Sequence, residues 1–458
     1  MRLAAGWLCC LALAGAAIAA DEDKDLELIP RAEKPAPAEQ PAPASGSAGQ
    51  RIYIENALQL TSLRDDLLVP FPPPLPPRWQ ERFFGDARVQ WPLGSGAFFA
   101  YSGRLNFVAE EDLGFPNRGN VTHDLRELYA SFEPETRDYL DIGRINVKSG
   151  VALGFNPTDF FKARAVVDPL TADPRALRED RFGAVMFRAQ RVGETASIAA
   201  LYAPKLTDPA PIITDPYRGF SPLFGRTNST NRWLVKGSVQ LGDGMNPEAL
   251  LFGEEGHVKI GANVTESVGQ ATVVYLEWSG GRQLGIIDQA SLPAPVSTLI
   301  NQGGEERFRS QVAVGASYTT ENKVTFNLEY HYNGAGFSRS DWDRWFALGE
   351  GQSNTSPISR ALWYIRGYAA DRQEFLQQHG VFLRADWVDF LVPKLELTGF
   401  VLADARDGST LLQIEADYAH TDNWSFGALA NATTGGRRSN YGSLPQGASI
   451  LLKATRYF

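Results

Sequence analysis

From Arg51 to Phe458, apolar and polar side chains alternate along segments of about ten residues, with turn-forming residues between the segments. Successive side chains of a strand point to opposite faces, so each segment reads as a strand with one apolar and one polar face. Val324–Asn333 is the clearest case: Val324, Phe326, Leu328, Tyr330 and Tyr332 share one face, and Thr325, Asn327, Glu329, His331 and Asn333 share the other. Around 236–241, Val235, Gly237, Val239 and Leu241 oppose Lys236, Ser238 and Gln240. Along 411–418, Leu412, Ile414, Ala416 and Tyr418 oppose Gln413, Glu415 and Asp417. A soluble β-sandwich alternates in the same way, because its apolar faces pack inward. The aromatic residues favour a membrane instead. Trp91, Trp233, Trp278, Tyr318, Trp387, Trp424 and Tyr457 fall near strand ends, where amphipathic rings suit the two interfaces of a bilayer.

Connection lengths point the same way, since bacterial barrels join strands by short periplasmic turns at one end and longer loops at the other. Tight turns stand at Leu93-Gly94-Ser95, Glu133-Pro134-Glu135-Thr136, Arg191-Val192-Gly193-Glu194, Gly242-Asp243-Gly244, Ser267-Val268-Gly269, Glu321-Asn322-Lys323, Val392-Pro393-Lys394 and Asp422-Asn423. Between them lie longer connections, notably 63–82, 149–180, 205–230, 280–305 and 334–378. With both termini on the periplasmic side, this parity predicts about 18 strands, roughly 16 being the nearest alternative, and requires 248–253 to span as a short strand. The expected fold is all-β, a single transmembrane antiparallel up-and-down barrel over 51–458. Residues 334–378 then lie outside the cell and Val392-Pro393-Lys394 in the periplasm. The terminal strand, 449–458, ends on Phe458, which is similar to the signal read by the outer-membrane insertion machinery and implies that machinery as a partner.

Residues 1–20 read as a cleaved secretory signal peptide: Arg2, an apolar run from Leu8 to Ile18, then small Ala17, Ala19 and Ala20 ahead of Asp21-Glu22-Asp23. The chain's 2 cysteines, Cys9 and Cys10, lie inside that run, so the mature protein would have neither disulfides nor thiolate ligands. Residues 21–50 are acidic and then rich in Pro, Ala, Ser and Gly. They offer little to bury and read as a disordered periplasmic tail, either a spacer or a docking segment. Beyond the signal no stretch approaches the roughly 18 consecutive apolar residues of a spanning helix. A chain of 458 residues usually splits into several soluble domains, yet one pattern runs from 51 to 458, and one large barrel accounts for that uniformity. A net charge of −9 argues against nucleic acid as a partner.

A barrel of about 18 strands is too wide for its own side chains to fill, so function rests on what lines the lumen. Taking polar strand faces as inward gives a basic set, Arg104, Arg144, Lys148, Arg188, Lys236, Lys259 and Arg309. The corresponding acidic set is Glu277, Glu329, Asp386, Glu415 and Asp417. Walls of opposite sign would set a field across the pore, and cations facing water without buried partners would make the weak, repeated contacts that transport needs. The plainer reading is a solvated face with no constriction. Residues 150–180 depart from the strand pattern, and a loop of about thirty residues is usually functional or disordered. Asn156 and Asp159 flank Pro157 and would fix a turn, while Phe160 and Phe161 would anchor it on the inner wall as a constriction. Lys162, Arg164, Arg175 and Arg178 would then enter the lumen; otherwise the loop lies on the surface, its Phe side chains packed on neighbouring loops. Residues 69–77, six of them proline, read as a stiff polyproline II connector or docking site. His123, His257, His331, His379 and His420 are scattered singly, no catalytic or phosphate-binding motif is present, and neither enzymatic activity nor a cofactor is expected.

The order Gly143-Arg144-Ile145-Asn146, Gly150, Asn156-Pro157-Thr158-Asp159-Phe160-Phe161 and Arg178-Glu179-Asp180-Arg181-Phe182-Gly183 resembles the alginate-export-like group of outer-membrane barrels. In that group a Gly-Arg strand precedes a long loop and an Arg-rich strand follows it. The resemblance implies that Arg144, Lys148, Arg181 and Arg188 line a path for an anionic polysaccharide. The expected protein is a porin-like channel in the outer membrane of a Gram-negative bacterium, with lipid around it and a charged hydrophilic solute inside it. The rival expectation is a structural or assembly barrel, plugged by its own loops and serving as a scaffold for envelope partners.

Overall fold

The computed structural model describes residues 50–111, 121–167, 171–210, 219–242, 244–291 and 304–458. The expected signal peptide (1–20) and Pro/Ala-rich tail (21–50) lie outside these residues, except Gln50, which opens the first strand. Asp168, Pro169 and Asp243 also lie outside them.

An antiparallel sheet of 18 strands closes on itself: every strand pairs with its sequence neighbours, and β1 (Gln50–Leu63) pairs with β18 (Gln446–Tyr457). Closure leaves no strand edge unpaired, the condition for placing a sheet in lipid. The parity argument depends on residues 248–253, and these lie within a full strand, β9 (Met245–Glu254). Each tight turn read from the sequence joins consecutive strands at the end of the barrel where β1 begins and β18 stops, and the longer connections sit at the other end.

The faces follow the alternation. In β13 (Val324–Asn333), Thr325, Asn327, Glu329, His331 and Asn333 are buried inside, while Phe326, Leu328 and Tyr330 are exposed outside. The outward face of the other strands is similarly apolar, with Ile260, Leu276, Val314, Leu383, Ile414 and Ile450 all exposed. Apolar surface on this scale is stable only against lipid, because each Å² left in water costs about 25 cal/mol.

Residues 334–378, read from sequence only as a long connection, contain two helices, α4 (Arg339–Gly349) and α5 (Pro357–Asp371). Both have local stop-start signals. Ser338 and Asp341 form a capping box on α4, and the Ser356 side chain caps α5 ahead of Pro357. With α3 (Ile286–Ser291) they enclose an aromatic cluster of Phe337, Trp342, Trp345, Phe346 and Trp363. The proline-rich connector docks on this cluster: Val69 is buried in it, Phe71 packs edge-on to Trp363 at 4.8 Å, and Trp363 Nε1 donates to the Pro70 carbonyl at 3.1 Å.

Candidate functional site

The connection between β5 (Asp138–Ile145) and β6 (Ala184–Val192) lies within the barrel, fastened to the inward faces of β11 (Thr272–Gln283) and β13. Glu277 accepts hydrogen bonds from the backbone N–H groups of Val151 (2.9 Å), Ala152 (3.1 Å) and Thr158 (2.7 Å) and from the Thr158 hydroxyl (2.9 Å). Glu329 accepts from the N–H groups of Leu153 (2.6 Å) and Gly154 (2.9 Å), and its other contacts are Tyr275 Oη and His331 Nε2. A buried carboxylate is tolerated only when donors surround it, and here the loop backbone supplies most of them. Close approach needs glycine at two places: a Cβ on Gly150 would lie 2.5 Å from Glu277 Oε1, and one on Gly154 2.7 Å from the Phe382 ring.

The turn read at 156–159 is present, with the Asp159 N–H donating to the Asn156 carbonyl across Pro157. Phe160 stacks on Phe252 with centroids 4.7 Å apart, and Phe161 meets the same ring edge-on. Asp159 is held by Arg181 at 2.8 Å. Lys162 donates to the Asn156 carbonyl and pairs with Glu374, and Arg164 pairs with Asp371. Arg178 donates to the carbonyls of Ser149 and Gly150, while Arg175, in α1 (Pro174–Glu179), is half-buried.

The basic wall differs from expectation. Arg104, Arg188, Lys236, Lys259 and Arg309 do face inward, but Arg144 does not. It shares parity with the exposed Leu140 and Ile142, while Asp141 and Ile145 take the inner face. Its guanidinium is covered by the connection between β7 (Ala196–Ala203) and β8 (Arg232–Val239), donating to the carbonyls of Gly183 (2.9 Å) and Pro222 (2.6 Å), with the Phe182 ring and the Phe224 ring of α2 (Phe224–Thr227) beside it. β5 stops at Ile145, so Lys148 belongs to the loop and not to a strand face.

Freedom from buried partners is also corrected. Arg104 is bound to Asp86 (2.9 Å), Lys148 to Glu179 (2.5 Å), Arg188 to Asp141 (2.5 Å) and Lys236 to Glu248 (3.4 Å). Arg309 donates to the carbonyls of Gln283 and Gly334. The acidic side is paired as well: Asp386 with Arg384 (2.8 Å), and Glu415 and Asp417 with Lys453 (2.7 and 2.9 Å). Charges of opposite sign therefore meet locally, between adjacent strands for Arg104, Arg188 and Lys236, along one strand for Arg384 and within the loop for Lys148, and do not form two opposed walls. An ion withdrawn from bulk water is stable only beside a partner, and the strand register supplies one.

Sequence reading missed the densest of these groupings. Asp86 on β2 (Trp79–Gly94), Arg104 on β3 (Ala97–Glu110) and Arg126 on β4 (Val121–Glu135) converge with Arg88 on the loop carboxylate Asp180. Arg126 lies 2.6 Å from Asp86, and Asp180 lies within 2.7–3.0 Å of Arg88, Arg104 and Arg126. Burial opposes the charge of Asp180, but the guanidiniums of Arg104, Arg126 and Arg88 override it and hold its carboxyl pKa at about 2. The available signal was the inward run Arg82, Phe84, Asp86, Arg88 on β2. Among the described residues, no group of three or more His, Cys, Asp or Glu side chains is placed to hold a metal ion.

No family model matches the chain, and no curated protein matches it in sequence. Its fold is similar to that of Pseudomonas aeruginosa OccK11 (OpdR), with a TM-score of 0.51 and 12% identity over 90% of this chain and 96% of that one. Pseudomonas aeruginosa OccK8 (OprE) follows at 0.49 and 11% over 90% and 97%, and a triple mutant of Rhodopseudomonas blastica porin at 0.41 and 10% over 90% and 100%. The likeness to OccK11 extends over nearly the whole of both chains and makes this a porin-type barrel in fold.

Proposed function

We propose that this protein is a porin-like channel of a Gram-negative outer membrane, passing charged hydrophilic solutes through a lumen narrowed by the inward loop. One observation carries the reading: charges of both signs stay partly open to water inside the closed wall, on that loop and on the strand beside it. Side-chain exposure is 35% for Arg88, 33% for Lys148, 30% for Glu179 and 26% for Asp180. Partly solvated charges attract a solute without trapping it, as passage requires.

Small solutes are better supported than the polysaccharide implied by the alginate-export-like resemblance. Of the four cations in that implied path, Arg144 is off the inner face, and Lys148, Arg181 and Arg188 already hold carboxylates. The loop also occupies interior space that a polymer would need.

The rival scaffold reading draws on the same filling of the interior. Single-channel recording of the purified barrel in planar bilayers separates the two. Steady, resolvable openings are expected; a folded barrel that inserts without conducting would leave the scaffold reading in their place.

A further inference from the structure

We infer that the interior holds an anion subsite, formed by Lys259 and Arg372 in a cavity of about 60 Å³ between the inward loop, the β9–β11 wall and α5. The inference rests on the channel reading above and names a class of solute for it. Lys259 faces inward from β10 (His257–Val268), opposite Phe252. Its stem passes Gly281, where a Cβ would come within 2.9 Å of Lys259 Cγ. Arg372 caps the C-terminus of α5, its guanidinium 4.5 Å from the centre of the Tyr368 ring.

The rest of the lining adds Lys162, the carboxylates of Asp159, Glu254 and Glu374, the amides of Gln283, Gln289 and Gln311, and apolar walls. Glu374 accepts from Gln311 at 2.6 Å and pairs with Lys162 at 3.4 Å. Glu254 accepts from the Thr230 hydroxyl at 3.1 Å and, like Glu374, acts on Lys259 through its charge without a direct bond, and Asp159 is held by Arg181. Phe160, Phe252, Ile286 and Tyr368 close the sides. Among the described residues, neither the Lys259 ammonium nor the Arg372 guanidinium has a hydrogen bond or ion pair to a protein oxygen. That sets them apart from Arg104, Lys148, Arg181, Arg188 and Lys236, each bound to a carboxylate. Cations withdrawn from bulk water are costly unless paired, so two of them open to one small cavity favour an anion brought from outside. Arginine offers a fork of donors and lysine a point charge, a combination that suits the oxygens of either a carboxylate or a phosphate.

The test reads binding directly. The full barrel, folded in detergent, is titrated into trifluoroacetate and separately into inorganic phosphate, and fluorine and phosphorus NMR line widths are followed. The native protein should broaden at least one of the two signals; the arm that responds says whether the subsite takes carboxylates or phosphates. Lys259→Gln combined with Arg372→Gln should abolish the broadening, since each lost charge-assisted bond weakens binding roughly tenfold. Lys259→Arg should retain it, and heat-modifiable migration on gels confirms that each variant is folded. Unbroadened lines with the native barrel, or equal broadening by the folded double variant, would overturn the subsite. Because no current is needed, a barrel that conducts without binding removes the subsite alone, whereas one that binds without conducting removes the channel reading and keeps the anion site.

Discussion

Arg144 and Lys148 are four positions apart and carry the same charge, yet their surroundings give them different work. Arg144 is buried and spends its donors on two backbone carbonyls; Lys148 is one-third exposed beside Glu179. Arg144→Gln should leave the reversal potential in a salt gradient unchanged while loosening the β7–β8 connection by about 1–3 kcal/mol, the cost of unmaking charged hydrogen bonds, seen as faster hydrogen exchange there. Lys148→Glu should shift the reversal potential toward cations, because at physiological salt a charge acts over only about 8 Å and Lys148 lies in the loop proposed to narrow the lumen. An unshifted potential in a conducting barrel would make Lys148 a solvated bystander. Asp180 offers a test against pH. Its folded pKa, about 2, lies below the ordinary carboxylate value. Its contribution to loop stability is therefore complete above roughly pH 4 and lost as pH falls through the folded value. Hydrogen exchange of the loop should accelerate across that acid window in the native protein, and the extra acceleration should be missing in Asp180→Asn.

At the level of elements, the inward loop is a strap whose length and fastening both matter. Glu277 and Glu329 hold its first half through backbone N–H groups, and the Phe160–Phe252 stack holds its turn. Deleting residues 158–176 should raise single-channel conductance, measured against the native barrel in the same salt. If the deletion variant folds and conducts as before, the loop does not set the narrowest point. The helices α4 and α5 were legible in principle from Ser338-Arg339-Ser340-Asp341 and from Ser356-Pro357, both standard start signals. They were overlooked because a long stretch between two strong strand patterns reads first as a connection.

For the whole molecule, the arrangement of short turns and long connections fixes a sidedness. With both ends of the chain's barrel at the short-turn end, the helical cap of 334–378 sits at the opposite end and is expected to face outside the cell. A protease site inserted at Ser353, on the connection between α4 and α5, should be cut in intact cells, whereas one inserted at Pro393 should be cut only after the outer membrane is opened. The reverse pattern would turn the barrel over. The interior is then layered: the aromatic cap and its docked proline connector at one end, the loop and its carboxylate anchors across the middle, and the paired charges of Glu415, Asp417 and Lys453 toward the short turns.

By itself the sequence determined the barrel: period-two alternation assigns a lipid face and a water face to each strand, and glycine, proline and asparagine turns between segments set strand number and parity. Those are local properties, carried by residues within ten positions of each other, so one chain read in order is enough. It also assigned the inward side chains of regular strands, such as Glu277, Glu329 and Lys236. Only the tertiary structure decided what those side chains meet. Arg144 lies where the strand runs out and a loop from elsewhere covers it; Asp86 and Asp180 meet three arginines from positions up to 92 residues away; Lys259 and Arg372 share a cavity because a helix from a distant connection folds back over the wall. Ion pairing and cavity shape depend on register and loop path, which come from closing the sheet and packing its connections inside it, and no local pattern records either.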